Sequence, residues 1–192
     1  IHLSLSKKEA YRMNKIIIFP TDTVYGIGAS IYDLDNINKI YEIKGRSFDK
    51  QLPVLCSSIE QIESFAVIDN NVLKLAKAFW PGALTLILKT KDEYFKFSGE
   101  RTIGVRIPNH ILALSLLEKY GPLKTTSIND SGSVPLNDYE TIYEKYNNKV
   151  SYIYKNTEAS IGLASTIVSL VDDVKILRLG NITLEQIKES LK

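Results

Sequence analysis

Residues 16–28 read IIIFPTDTVYGIG, and the way this run ends decides the fold class. Three isoleucines, a phenylalanine and a proline have the β-branched, apolar character of a short buried strand from Ile16 to Pro20. Thr21, Asp22 and Thr23 then close it. Three short polar side chains at the end of an apolar strand cannot extend a core, but they can line a pocket, and strand ends are where α/β folds place their ligands. Tyr25, Gly26 and Gly28 follow as a stretch in which the backbone has room to close around a ligand.

Outward from that run, helical patterns alternate with short apolar stretches. Asp35–Lys44 reads as a helix with Asp35 at its N-cap and Gly45 just past its end. Leu52–Cys56 is a strand. Residues 57–79 hold two helical patterns that break near Asp69–Asn71, with Val72, Leu75, Ala76 and Phe79 facing inward and Trp80-Pro81-Gly82 as the stop. Ala83–Lys89 and Thr102–Ile107 are strands joined by a loop around Ser98 and Gly99 that is short enough to place them side by side. A helix over Asn109–Tyr120, a strand over Leu123–Thr126, a helix capped by Asp138 and running to Tyr146, and a strand over Val150–Tyr154 come next. Ser165–Leu170 and Val174–Leu179 form a hairpin turning at Asp172 and Asp173, and the last helix has a Thr183/Gln186 capping box with an Ile182–Ile187 staple. No linker, repeat or low-complexity tract divides the chain. The expectation is one α/β domain over residues 1–192, a twisted mixed sheet with helices on both faces and a concave ligand pocket.

Composition bounds what the pocket belongs to. The 192 residues are 44% hydrophobic and 24% charged, the balance of a folded globular chain. A formal charge of +2 argues against a polycation that coats nucleic acid, although local basic clusters leave room for weak RNA binding. Cys56 is the only cysteine, so no intramolecular disulfide forms, and its apolar neighbours fit a structural thiol. His2 and His110 have no metal-site spacing, so no metal held by protein side chains is expected. No apolar run approaches the roughly 20 residues of a membrane span, and the first residues lack a signal-peptide layout, which gives a cytoplasmic expectation.

Three clusters carry the chemistry. Lys44, Gly45 and Arg46, with Lys50 behind them, suit a helix C-terminus, where cations meet the negative dipole end. They equally suit a triphosphate clamp, with Lys as a mobile charge and Arg as a planar fork. Arg106, at the edge of an apolar strand, needs an anion or several acceptors. The run Thr125 to Gly132 packs hydroxyls, an amide and a carboxylate into eight residues, either as turn formers or as a cradle for a polar ligand. There is no P-loop, Gly26-x-Gly28 lacks the rest of a dinucleotide fingerprint, and neither a Ser-His-Asp set nor a carboxylate dyad can be assembled. Chemistry here would rest on positioning and charge neutralisation, as in phosphoryl or nucleotidyl transfer.

The pieces FPTDTVYGIG, IYEIKGRSFDKQLPVL, FWPGALTLIL, IGVRIP, TSINDSG, STIVSL and ILRLG, in this order, resemble the YrdC family, the threonylcarbamoyl-AMP synthases. The resemblance spans nearly the whole chain and is to the short form that carries only the catalytic domain. It implies that L-threonine, bicarbonate or CO2, and ATP become threonylcarbamoyl-adenylate and pyrophosphate, with Mg2+ arriving on the ATP. The adenylate is then handed to a downstream tRNA threonylcarbamoyl transferase complex that makes N6-threonylcarbamoyladenosine. The family's catalytic Lys-x-Arg and Ser-x-Asn signature matches Lys44, Arg46, Ser127 and Asn129. By the same resemblance Thr23, Arg106, Ser127 and Ser165 hold the threonine, and Arg46, Lys50, Thr102, Asn129, Asn137 and Arg178 hold ATP. Ile128, Ala83 and Ser169 depart from the family pattern, and Ile128 would narrow the pocket if it faced inward. Two other functions fit the same residues: an RNA-binding module of this fold, and a nucleotide-binding paralogue that serves another carbamoyl acceptor.

Overall fold

The computed structural model describes residues 13–129 and 132–192, so His2 and the Asp130-Ser131 pair of the polar loop lie outside the described residues. Strand β1 (Ile17–Phe19) turns at Thr21–Val24 into β2 (Gly26–Ser30), and the two pair antiparallel with Phe19 opposite Gly26 and Ile17 opposite Gly28. The two glycines therefore sit within a strand, and Gly26 with Tyr25 also lines the cavity described below. Their role is close packing: β2 also pairs with β6 (Leu123–Ser127), where a Cβ on Gly26 would lie 2.6 Å from Thr125 Cγ2 and one on Gly28 2.8 Å from Thr125 Oγ1.

The remaining strands are β3 (Val54–Leu55), β4 (Leu84–Lys89), β5 (Thr102–Arg106), β7 (Tyr152–Ile153), β8 (Thr166–Ser169) and β9 (Lys175–Arg178). All nine described strands form one mixed sheet in the order β7-β1-β2-β6-β3-β5-β4-β8-β9. The helices are α1 (Leu34–Lys44), α2 (Ile59–Glu63), α3 (Asn70–Phe79), α4 (Asp92–Ser98), α5 (Ile111–Tyr120), α6 (Tyr139–Tyr146) and α7 (Leu184–Leu191).

Strand alternation distributes the apolar residues over both faces. Ile16, Ile18, Ile27 and Ala29 pack with Ile37, Ile40 and Tyr41 of α1 and with Ile142 and Tyr146 of α6. Val54, Leu84, Leu86, Leu88, Ile103, Val105 and Val168 pack with residues of α2, α3, α4 and α7. Ile17, Phe19, Leu55 and Leu123 cluster separately against Ala113, Leu116 and Leu117 of α5. Fully burying each such leucine contributes about 2 kcal/mol. The residues that alternate with the large core, Thr85 and Ile87 of β4, Gly104 and Arg106 of β5, and Ile167 of β8, line a cavity instead.

Several expected boundaries shift for local reasons. Helix α1 starts one residue earlier and is capped by Asp33 rather than Asp35, because the Asp33 carboxylate accepts from Asn36 N at 3.1 Å. The loop expected over residues 91–100 instead holds α4, closed by Gly99 at φ 75° and anchored by buried Tyr94. His110 caps α5 through Nδ1, which accepts from Ala113 N at 3.3 Å. The Asp138 cap, the left-handed Gly45 and the Thr183/Gln186 capping box fall where the sequence puts them, and the break near Asp69–Asn71 is an N-cap made by Asp69. Among the described residues no helix is long and apolar enough to cross a membrane.

Candidate active site

The open part of the sheet face forms a cavity of about 490 Å³, walled by the β1–β2 turn, residues 132–135 and the segment leading into β8. That size lies within the range of small-molecule sites.

The Thr21–Val24 turn builds one wall by hydrogen bonding to itself, as short hydroxyl side chains do. Thr21 Oγ1 accepts from the backbone N of Thr23 and Val24 and donates its only proton to Val24 O at 2.6 Å. With its proton and both lone pairs so used, Thr21 Oγ1 does not fix the Thr23 proton through its 3.0 Å contact with Thr23 Oγ1. Thr23 Oγ1 in turn accepts from Arg106 Nη1 at 2.8 Å, which leaves it one acceptor position. Buried Thr23 can therefore receive an N–H or O–H from a ligand.

Arg106 is buried at the end of β5 and held from three sides: Nε donates to Gly82 O at 2.8 Å, Nη1 to Thr23, and Nη2 to the Asp22 carboxylate. Burial lowers the guanidinium pKa, and Asp22 opposes that shift by favouring the charged form. Three of five N–H groups are used, so a rigidly held fork lines the cavity with capacity left for an anion. Asp22 has no role in the motif reading. A carboxylate directly before a pocket threonine was its only sequence signal.

At the N-terminal end of β8, Ser165 Oγ lies 2.7 Å from Thr85 Oγ1, and Arg178 donates to Ser165 O through Nε at 3.1 Å and Nη2 at 2.8 Å. Thr85 is a second pocket residue that motif reading misses. Its signal is period 2, because Thr85 and Ile87 share a strand face while Leu84, Leu86 and Leu88 enter the core.

Lys44 and Arg46 separate, which corrects the expected two-residue clamp. Lys44 continues the buried Ile37, Ile40, Tyr41 stripe of α1, and its Nζ donates to Ser127 O and, at 2.9 Å, to Asn129 Oδ1. Asn129 Oδ1 also accepts from Ser127 Oγ at 2.8 Å, while Nδ2 donates to Ser133 O at 2.6 Å. Lys44 thus fastens the Ser-x-Asn loop from behind, and it is Ser127 and Asn129 that reach the cavity wall. Left-handed Gly45 turns the chain, so Arg46 instead lines the cavity, tied to Lys50 O at 3.0 Å and Gln51 O at 3.3 Å.

The other residues expected at ATP fall away from this wall. Exposed Lys50 contributes its carbonyl to Arg46 and to Tyr41 OH. Exposed Asn137 accepts from Tyr25 N at 3.2 Å and so supports the turn from outside. Thr102 shares the face of Gly104 and Arg106, but four residues along an extended strand put it about 13 Å from Arg106. It lines a second groove of about 350 Å³ with Lys89, Phe95 and Arg101. Ile128 is fully buried among the α1 and α6 contacts and does not narrow the cavity. Ala83 is buried and accepts from Thr166 N through its carbonyl, and Ser169 lies half-buried on β8.

Comparison with known proteins agrees with this architecture. A family model for the Sua5/YciO/YrdC domain, described as "Telomere recombination", matches residues 9–180. The threonylcarbamoyl-AMP synthase of Bacillus subtilis strain 168 is 38% identical over 183 residues, covering 92% of this chain and 53% of that protein. The crystal structure of P. abyssi Sua5 complexed with L-threonine superposes with a TM-score of 0.85 at 34% identity, covering 97% of this chain and 56% of that one. E. coli YciO follows with a TM-score of 0.81 at 27% identity, covering 95% of this chain and 91% of that one. The chain spans about half the length of the Bacillus and Pyrococcus relatives. With a family model matched over most of its length and a relative 38% identical across 92% of it, the chain belongs to the Sua5/YciO/YrdC family.

Proposed function

We propose that this chain is a threonylcarbamoyl-AMP synthase, a nucleotidyl-transferring enzyme that joins L-threonine, CO2 or bicarbonate, and ATP. The observation that carries it is the buried Arg106 fork beside Thr23, an anion partner next to a hydroxyl with an open acceptor position. A zwitterionic amino acid needs that pair: its carboxylate meets the guanidinium and its amine donates to the hydroxyl. The P. abyssi protein of this fold was crystallised with L-threonine, and the B. subtilis relative bears the synthase name.

In this reaction the threonine amine takes up CO2 and loses a proton to become a carbamate. A carbamate oxygen then attacks the α-phosphorus, the bond to the β-phosphate oxygen breaks, and pyrophosphate leaves with the electron pair. No protein nucleophile takes part. The chain's task is to hold two anions together and neutralise charge as it builds on the phosphates. Arg46 and Arg178 on the cavity wall are the cations placed for the phosphates, with Ser127 and Asn129 as polar partners and Ser165 beside the amino acid. Lys44 acts through Asn129. Mg2+ belongs to the substrate as MgATP; among the described residues no group of three His, Cys, Asp or Glu side chains could hold a metal. The adenylate would pass to the tRNA-modifying transferase downstream.

The test is pyrophosphate release from MgATP and bicarbonate with and without L-threonine. Threonine-dependent release, at least tenfold slower with serine, is the expected result. Release without threonine would identify a paralogue that serves another acceptor, and no release would remove the synthase function. In the same assay Arg46→Ala is expected to raise the KM for ATP about tenfold or more, since a charge-assisted contact to phosphate is lost, with the KM for threonine little changed.

A further inference from the structure

The segment between β7 and β8 is not a passive connection. Ser160 Oγ donates to Thr21 O at 2.9 Å, Ile161 N to Asp22 O at 2.9 Å, and Gly162 N to Thr23 O at 3.0 Å, so three successive residues strap the carbonyls of the cavity turn. Three residues later the same segment delivers Ser165 to the cavity. What fixes the strap is Asn156. Its backbone N donates to the hydroxyl of buried Tyr25 at 2.7 Å. Its side chain reaches His110 at 3.0 Å, Glu158 N at 3.0 Å and Ser160 Oγ at 3.2 Å.

The direction of every bond in this chain follows from two backbone amides. Glu158 N and Ala113 N can only donate, so the Asn156 atom facing Glu158 N is the oxygen and His110 Nδ1 is an acceptor. His110 therefore carries its proton on Nε2 and donates it to Asn156 Oδ1. Asn156 Nδ2 must then donate to Ser160 Oγ, whose single proton goes on to Thr21 O. The result is a one-way relay from the N-cap of α5 to the turn that holds Thr23.

We infer that Asn156 is a positioning residue for the amino-acid end of the cavity, setting the Thr21–Thr23 turn through Ser160 and the strap. This rests on the synthase reading for its kinetic consequences but not for its structural ones. The turn carries the Thr23 acceptor, and Asp22 within it is the partner of Arg106, so loosening the strap should weaken amino-acid binding and spare the nucleotide end.

The experiment compares the full chain with Asn156→Asp and Ser160→Ala. Asp keeps the size and the acceptor for His110 and Glu158 N but cannot donate to Ser160; Ala removes the Ser160 hydroxyl, and with it both the bond from Asn156 and the bond to Thr21 O. Expected is a threonine KM raised about tenfold, with kcat and the KM for ATP within about twofold, as for loss of one neutral hydrogen bond. Hydrogen exchange at the Ile161 and Gly162 amides should quicken at least tenfold while β4 and β5 stay protected. Unchanged threonine KM and unchanged strap exchange, or a uniform rise in both KM values with a lowered Tm, would overturn the inference. Should the wild-type chain show no threonine-dependent release, the synthase reading fails, and the exchange measurement still judges the relay.

Discussion

Arg106→Ala is expected to raise the threonine requirement at least a hundredfold and to destabilise the fold, and the two effects should separate in a second variant. The guanidinium lies in a buried network with Asp22, Thr23 and Gly82 O, and its removal strands the Asp22 carboxylate with little solvent to replace it. Breaking one side of a buried pair costs about 3–5 kcal/mol. A hundredfold loss in threonine use corresponds to about 2.8 kcal/mol, within the range for truncating one partner of a buried charge contact. The double variant Asp22→Asn/Arg106→Met removes both charges, so it should regain most of the stability and none of the threonine affinity. Chemical denaturation and steady-state kinetics on the three proteins check this. Recovery of threonine affinity in the double variant would show that Arg106 serves only the fold.

Gly180→Ala is the second large effect, and it works through backbone alone. A Cβ there would stand 2.2 Å from Ala164 O and 2.8 Å from both Ser165 C and Thr166 N. These are main-chain atoms that no rotamer change can move aside. The segment cannot slide freely either: Gly180 N and Ile182 N both donate to Thr166 Oγ1, and Thr166 Oγ1 donates to Ile182 O at 2.8 Å. The displacement must appear at Ser165, on the cavity wall. Overpacking of this kind costs about 1–3 kcal/mol, and a shift of about 1 Å in a positioning group costs on the order of a hundredfold in rate. The expected outcome is a lowered Tm with kcat/KM for threonine down about a hundredfold. A variant with wild-type kinetics would mean that β8 absorbs the methyl without moving Ser165.

Much of the architecture was legible because its causes are local. Asp69, Asp138 and Thr183 cap their helices through hydrogen bonds to residues three positions on, and Gly45 ends α1 in the left-handed conformation that favours glycine. The β8–β9 hairpin and the alternation of β4 are likewise contained within short windows. The motif order was specific enough to identify the family, and it put Thr23, Arg106, Ser127, Asn129, Ser165, Arg178 and Arg46 on one cavity before any geometry was known.

Ser127 and Asn129 meet on the cavity wall as their spacing suggests, but other sequence neighbours do not act as spatial partners. Lys44 and Arg46 are two residues apart and serve different surfaces, because one completes a helical stripe and the other follows a left-handed turn. Gly26 and Gly28 look like a ligand loop but are strand residues making room for Thr125. Thr102 and Arg106 share a strand face yet line different grooves. Asn156 carries no motif, and its role exists only because the segment before β8 returns across the β1–β2 turn. Caps, turns and apolar periods depend on atoms a few bonds apart along the chain, so the sequence alone determined them. Which polar ends meet in the cavity depends on strand order and on the face each side chain takes, and these were decided only when β4 paired with β5 and β8 in the folded sheet.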